Sequence, residues 1–119
     1  MNRAIGTVET RQSSVLEGDH HIVVTVDLAD GINGVPEGCL LYADGGKFKA
    51  LAKTDGTSTP IAVALEAVEG TTAKSVVNAA AHGVVRADKL VYADGSPAKA
   101  ETGEKLRKSG IYAFGRFLA

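Results

Sequence analysis

Pro36-Glu37-Gly38-Cys39-Leu40-Leu41-Tyr42-Ala43-Asp44-Gly45-Gly46-Lys47-Phe48-Lys49-Ala50-Leu51-Ala52, with the Asp55-Gly56-Thr57-Ser58 turn and Ile61-Ala62-Val63-Ala64-Leu65 behind it, is the stretch whose reading decides the fold. Leu41, Phe48, Leu51, Ile61, Val63 and Leu65 fall in short apolar runs, and the Asp-Gly pairs between them let a chain reverse. The expected structure is three strands in a meander. An echo follows fifty residues on: Leu90-Val91-Tyr92-Ala93-Asp94-Gly95-Ser96-Pro97-Ala98-Lys99-Ala100 repeats Leu, Tyr, Ala, Asp, Gly, Lys and Ala in the places they hold from Leu40 to Ala50. Two copies are too few for a solenoid, which needs about three stacked units. The echo implies a strand-and-turn element used twice in one domain.

Outward from that stretch, composition sets the limits. A chain of 119 residues is one domain. With three Tyr, three Phe and no Trp, its core must be built from Val, Ile, Leu and Ala, and its 14 Gly favour a turn-rich β protein over a helical bundle. Lys and Arg are dispersed among Asp and Glu, and the formal net charge is -1. That argues against nucleic-acid binding, which needs a basic stripe to neutralise phosphates. The single Cys39 cannot form an internal disulfide. No run approaches the roughly 18 apolar residues of a membrane span, and Met1 to Thr7 lack the apolar core of a signal peptide, so no membrane partner and synthesis as a soluble intracellular protein are expected.

Along the chain, residues 1 to about 21 are small, polar and weakly patterned, and such a stretch buries too little to order itself. It reads as an extended arm that docks on its own domain or on a neighbour, leaving residues 22–119 as the β-rich domain. His21 to Leu28 reads as a strand, since β-branched residues dominate it and Asp30-Gly31 closes it. Lys74 to Val77 and His82 to Arg86 read as two strands around a tight connection, although the Ala-rich composition of 73–81 leaves open a helix capped by Gly83. Ala87 to Leu90 suits a turn or helical turn, Ala98 to Lys108 a short exposed helix ended by Gly110, and Ile111 to Leu118 a closing strand.

Chemistry is sparse. His20 and His21 are adjacent, so on a strand they point to opposite faces; only tertiary accident could join them to Asp19, Cys39 and His82, and the usual zinc spacings are missing. The Asp-Gly pairs at Asp30, Asp44, Asp55 and Asp94 lack the alternating oxygen ligands of a calcium loop and read as turns whose carboxylates hold the backbone. Ser13-Ser14 has no nucleophile elbow, Glu66 and Glu69 read as solvated charges, and no Gly-rich segment has the strand-to-helix context of a phosphate loop. No catalytic residue, metal site or cofactor is assigned, which favours a structural or binding module over an enzyme.

The order and spacing of Pro36-x-Gly38-x-Leu40-Leu41, Asp44, Lys47-Phe48-Lys49-Ala50, Asp55-Gly56-Thr57, Ile61 to Leu65, Lys74 to Val77, His82 to Leu90 and Lys105 to Phe114 resembles the head decoration proteins of tailed bacteriophages, the family of the phage lambda decoration protein. The resemblance runs from about Pro36 to Phe117 and stops short of the first 35 residues. It implies a small, mainly β, β-clip-like domain of short antiparallel strands with one or two short helices. That domain forms a homotrimer on the outer surface of the expanded head and clamps the major capsid protein against DNA pressure. A core-poor arm fits this role, because an extended segment can add main-chain hydrogen bonds to a partner's sheet edge. Arg3, Ile5, Val8 and Arg11 are its candidate capsid contacts. Two other classes stand beside it: a spike or fibre head, which should carry a repetitive shaft sequence, and a small β-barrel ligand-binding domain or enzyme, which would need a pocket around Cys39, Tyr42 and His82.

Overall fold

The computed structural model describes residues 14–29, 34–68 and 76–119. They form a mainly β domain of six strands and one helix: β1 (Leu16–Asp27), β2 (Leu40–Asp44), β3 (Lys47–Ala50), β4 (Ala62–Ala64), β5 (Val76–Arg86), α1 (Ala100–Lys108) and β6 (Ile111–Phe114), with a 3-10 turn at Ala87–Lys89. The strands lie in the order β1-β5-β4-β2-β3, and β6 also pairs with β5. Leu28 bridges Phe48, and the Ala29 amide donates to the Phe48 carbonyl at 2.9 Å, so the two ends of the order meet and the sheet curls on itself.

Asp44-Gly45-Gly46-Lys47 makes the β2–β3 reversal as its sequence implies. Gly45 and Gly46 both take positive φ (63° and 86°), the two-residue turn whose twist matches flanking strands. The third strand of the expected meander lies elsewhere. β4 pairs with β2, Leu40 opposite Val63 and Leu41 opposite Ala62, and not with β3. The connection from Leu51 to Ile61 is long enough to carry the chain back across β2. It is held there by buried Leu51 and Pro60, by Lys105 Nζ on the Gly56 carbonyl (3.2 Å) and by Ser109 Oγ on the Pro60 carbonyl (3.0 Å).

Three further expectations are corrected. The segment from Val76 to Arg86 is one continuous strand, neither two strands nor a helix. Its alanines are packing choices: Ala79 and Ala80 are wholly buried where β5 is flanked by β1 and β4. β1 begins at Leu16, five residues before His21, because the polar run Gly18 to His21 is a bulge inside the strand and not a connection. Register passes from Glu17 opposite Val84 to Ile22 opposite His82, leaving those four residues to face Gly83, and the His21 Nε2–H spans the bulge to the Glu17 carbonyl at 2.8 Å. Finally, β6 runs parallel to β5, as strands joined through a crossover helix do.

The echo is real in space. Leu40 N donates to the Val91 carbonyl and Val91 N to the Gly38 carbonyl, both at 3.0 Å, so the two copies begin side by side. The second reversal, closed by Tyr92 N on the Ser96 carbonyl (2.9 Å), stays short because Pro97 has no amide to extend a ladder.

Around the central strands both faces of the sheet are covered. On one side Leu40, Leu51, Val63, Ala80, Val85, Leu90, Leu106 and Ile111 form a core under α1; on the other Val26, Leu28, Leu41, Ala62, Ala64, Val77 and Ala79 fill the concave side. α1 ends at Ser109-Gly110 as its sequence implies, with Glu101 in its first turn and Lys105, Arg107 and Lys108 in its last, the arrangement its dipole favours. Its start is held by Tyr92, whose buried hydroxyl accepts the Lys99 amide at 3.1 Å and shares a 2.8 Å hydrogen bond with Thr102.

Candidate interaction surfaces

Arg3, Ile5, Val8 and Arg11, the candidate contacts of the arm, lie outside the described residues. The structure does show where that arm is rooted. Val15 is 1% exposed in the core under α1, and its carbonyl accepts the Arg86 amide at 2.7 Å. Leu16 to His21, part of the arm as read from sequence, therefore belong to the domain's sheet, and Val15 before them to its core. Along Leu16 to Asp27, β1 is paired only with β5 among the described residues, which leave its other edge unpaired. The Gly18–His21 bulge interrupts that edge.

The residues with chemical potential do not come together. Cys39 is wholly buried in the concave core; burial pushes its thiol up to about 12, and Sγ donates to the Leu40 carbonyl at 3.4 Å. Tyr42 packs against the opposite core, and His82 is exposed beside Gly110. Glu66, read as a solvated charge, accepts the Asn78 amide at 3.0 Å and so ties the exit of β4 to β5; Glu69 and Asp30 lie outside the described residues. Among the described residues no group of three or more His, Cys, Asp or Glu is placed to hold a metal ion, and no helix is long and apolar enough to cross a membrane.

Two Asp-Gly turns are held as expected. The Asp55 carboxylate accepts the Ser58 and Thr57 amides, both at 2.9 Å, and those bonds pull its pKa down to about 2. Asp94 is lowered by the hydroxyl and amide of Ser96. Asp44 instead pairs with Lys49 at 2.9 Å. A depressed folded-state carboxyl contributes stability that is complete above the unfolded value near 4 and is lost as pH falls through the folded one. The melting-temperature gap between the wild type and Asp55→Ala is therefore expected to be constant from pH 7 to about pH 5 and to close between about pH 4 and pH 2. A gap unchanged at pH 2 would show that the carboxylate does not hold this turn.

One surface escaped the sequence reading. On the face of β1, β5 and β6 that points away from α1, paired residues stand in rows: Ile22 with His82; Glu17, Val84 and Tyr112; Arg86 with Phe114. Ile22 is 56% exposed, Tyr112 49% and Phe114 62%, while their strand neighbours Ile111 and Val85 are wholly buried on the other side. Arg86 makes a two-pronged ion pair with Asp88, at 3.2 and 3.0 Å.

The comparison with known families bears on what these surfaces serve. Residues 9–111 match the family model described as bacteriophage lambda head decoration protein D. No curated protein matches the chain. The family match begins well before Pro36, so β1 and its bulge belong to the shared domain and are not an addition to it. With the matched span running from residue 9 to the start of β6, the chain belongs to the phage lambda head decoration protein family, a family of structural proteins of the virion head.

Proposed function

We propose that this chain binds the outer surface of the expanded phage head as a trimer at three-fold positions and cements the major capsid protein shell against the pressure of packaged DNA. The family match over residues 9–111 carries this reading. The fold supports it by fixing the root of the N-terminal segment to β5 through Val15. In this proposal residues 1–13 are the capsid-binding arm, with Arg3, Ile5, Val8 and Arg11 contacting the major capsid protein by strand addition. Three arms on one trimer bind multivalently, so modest contacts dissociate slowly. The protein is made in the host cytoplasm, and its partners are the capsid protein and itself, without nucleic acid, membrane or cofactor.

The test is electron cryo-microscopy of expanded, decoration-free heads of the cognate phage incubated with excess chain. Three-lobed density is expected at the three-fold positions of the outer surface, and treated heads should survive heating that bursts untreated ones. Bare three-fold positions at saturating protein would overturn the proposal.

A further inference from the structure

Asp44-Gly45, Asp55-Gly56 and Asp94-Gly95 are the Asp-Gly pairs among the described residues, and the structure holds them differently. A glycine amide reaches the carboxyl of the side chain before it most freely, because no Cβ stands in the way. We propose that Asp44-Gly45 is a site of spontaneous isomerisation, at which the backbone passes through a succinimide to isoaspartate and the β2–β3 hairpin opens. The Gly45 amide nitrogen gives its proton to water and attacks Asp44 Cγ; the N–Cγ bond forms and the carboxyl hydroxyl leaves as water, closing a five-membered ring. Water then reopens the ring. Cleavage at Cγ restores aspartate, whereas cleavage at the former backbone carbonyl leaves the chain running through Cγ beside a free α-carboxylate, with its mass unchanged. This chemistry is independent of the head-cementing reading.

Open space does not select among the three pairs, since at Gly45, Gly56 and Gly95 alike an added Cβ would meet nothing within 4 Å. Hydrogen bonding does. The Asp55 carboxylate is turned onto the Thr57 and Ser58 amides, both at 2.9 Å, and bonds that hold its pKa down to about 2 leave little of the neutral acid that can lose water. Asp94 is held by the Ser96 amide at 3.0 Å, and its would-be attacker is occupied too, because the Gly95 amide donates to the Tyr92 carbonyl at 2.9 Å. Asp44 has neither restraint. Gly45, at φ 63°, lies inside the two-residue turn closed by Asp44 and Lys47, and its amide makes no hydrogen bond among the described residues. The Asp44 carboxylate has Lys49 Nζ at 2.9 Å, but with the two side chains 56% and 44% exposed this pair is weak and screened. The product would be felt beyond the turn. Isoaspartate lengthens the backbone of β2 by one methylene and turns the Asp44 carbonyl into a carboxylate, which breaks the register opposite Lys47 and Phe48. Phe48 is where Leu28 and Ala29 close the curl of the sheet.

Peptide mapping of the folded full chain, aged for weeks at about 37 °C and about pH 6, tests this. Electron-transfer fragmentation places isoaspartate by position and so separates Asp44 from Asp30 in the same tryptic peptide. Isoaspartate is expected at Asp44 about tenfold or more ahead of Asp55 and Asp94, the factor supplied by one hydrogen bond to a charged group. Lys49→Ala should speed conversion at Asp44 by up to about fivefold, the size of an exposed ion pair. Asp44→Glu, whose ring would need six members, should stay unmodified at that position. The aged wild type should melt below the fresh protein, while aged and fresh Asp44→Glu melt together. Conversion at Asp55 or Asp94 as fast as at Asp44 would overturn the assignment of the site. A fully converted Asp44 with an unchanged melting temperature would overturn the opening of the hairpin.

Discussion

Gly38→Ala is expected to destabilise the domain by about 3 kcal/mol or more, a large share of the roughly 5–15 kcal/mol that holds a domain of this size together. Two causes combine. Gly38 has φ +84°, a conformation that costs a residue with a Cβ about 1–3 kcal/mol. An added Cβ would also stand 2.0 Å from the Lys89 carbonyl oxygen, a backbone atom with little room to move because Leu90 beside it is 1% exposed. Nor can Gly38 yield, since its amide donates to the Ala64 carbonyl at 2.8 Å and its carbonyl accepts the Val91 amide at 3.0 Å. It is the point where β4, the start of β2 and the second reversal lock together. Urea unfolding measures the effect; a loss below about 0.5 kcal/mol would mean that Lys89 and Gly38 are not in this contact.

Leu40→Ala and Leu41→Ala are each expected to cost about 2–5 kcal/mol, the range for a leucine removed from a packed core. Consecutive strand residues point to opposite faces, so in a sheet with one wet face only one of the two would matter. Here both are wholly buried, Leu40 under α1 and Leu41 in the concave core. Unfolding curves of the two variants therefore test the two-core architecture directly. A near-neutral result for either would show that one face is open to water.

Local chemistry made part of this fold legible. The β2–β3 turn follows from two consecutive glycines after Asp44, and the end of α1 from Ser109-Gly110 after a basic last turn. The polar run Gly18 to His21 looked like the end of an arm because a bulge breaks the alternation that marks a strand, and only the partner strand reveals that the chain stays in the sheet. The alanines of β5 are ambiguous in isolation and become necessary once β1 and β4 flank them. The placement of β4 beside β2 and the parallel course of β6 depend on which distant strands meet, which no local pattern specifies. For the same reason the exposed face of Ile22, Val84, Tyr112 and Phe114 was invisible, its members lying far apart in sequence. The family was legible from the order of several weak motifs, yet the matched span starts at residue 9 where the motifs pointed to Pro36. The candidate contacts Arg3, Ile5, Val8 and Arg11 fall outside the described residues and stand as a proposal.

Where the truncation is made matters. A chain beginning after His21 would lose Val15 and the first part of β1, removing core along with arm. The decisive comparison is co-sedimentation with expanded, decoration-free heads, using the full chain and a chain beginning at Ser14. Saturable binding by the full chain and none by the truncated chain, with circular dichroism and melting temperature preserved in both, is the result expected of a head-cementing protein held by its arm. Equal binding by the two would show that the arm is not the attachment, and no binding by either would contradict the proposed function itself.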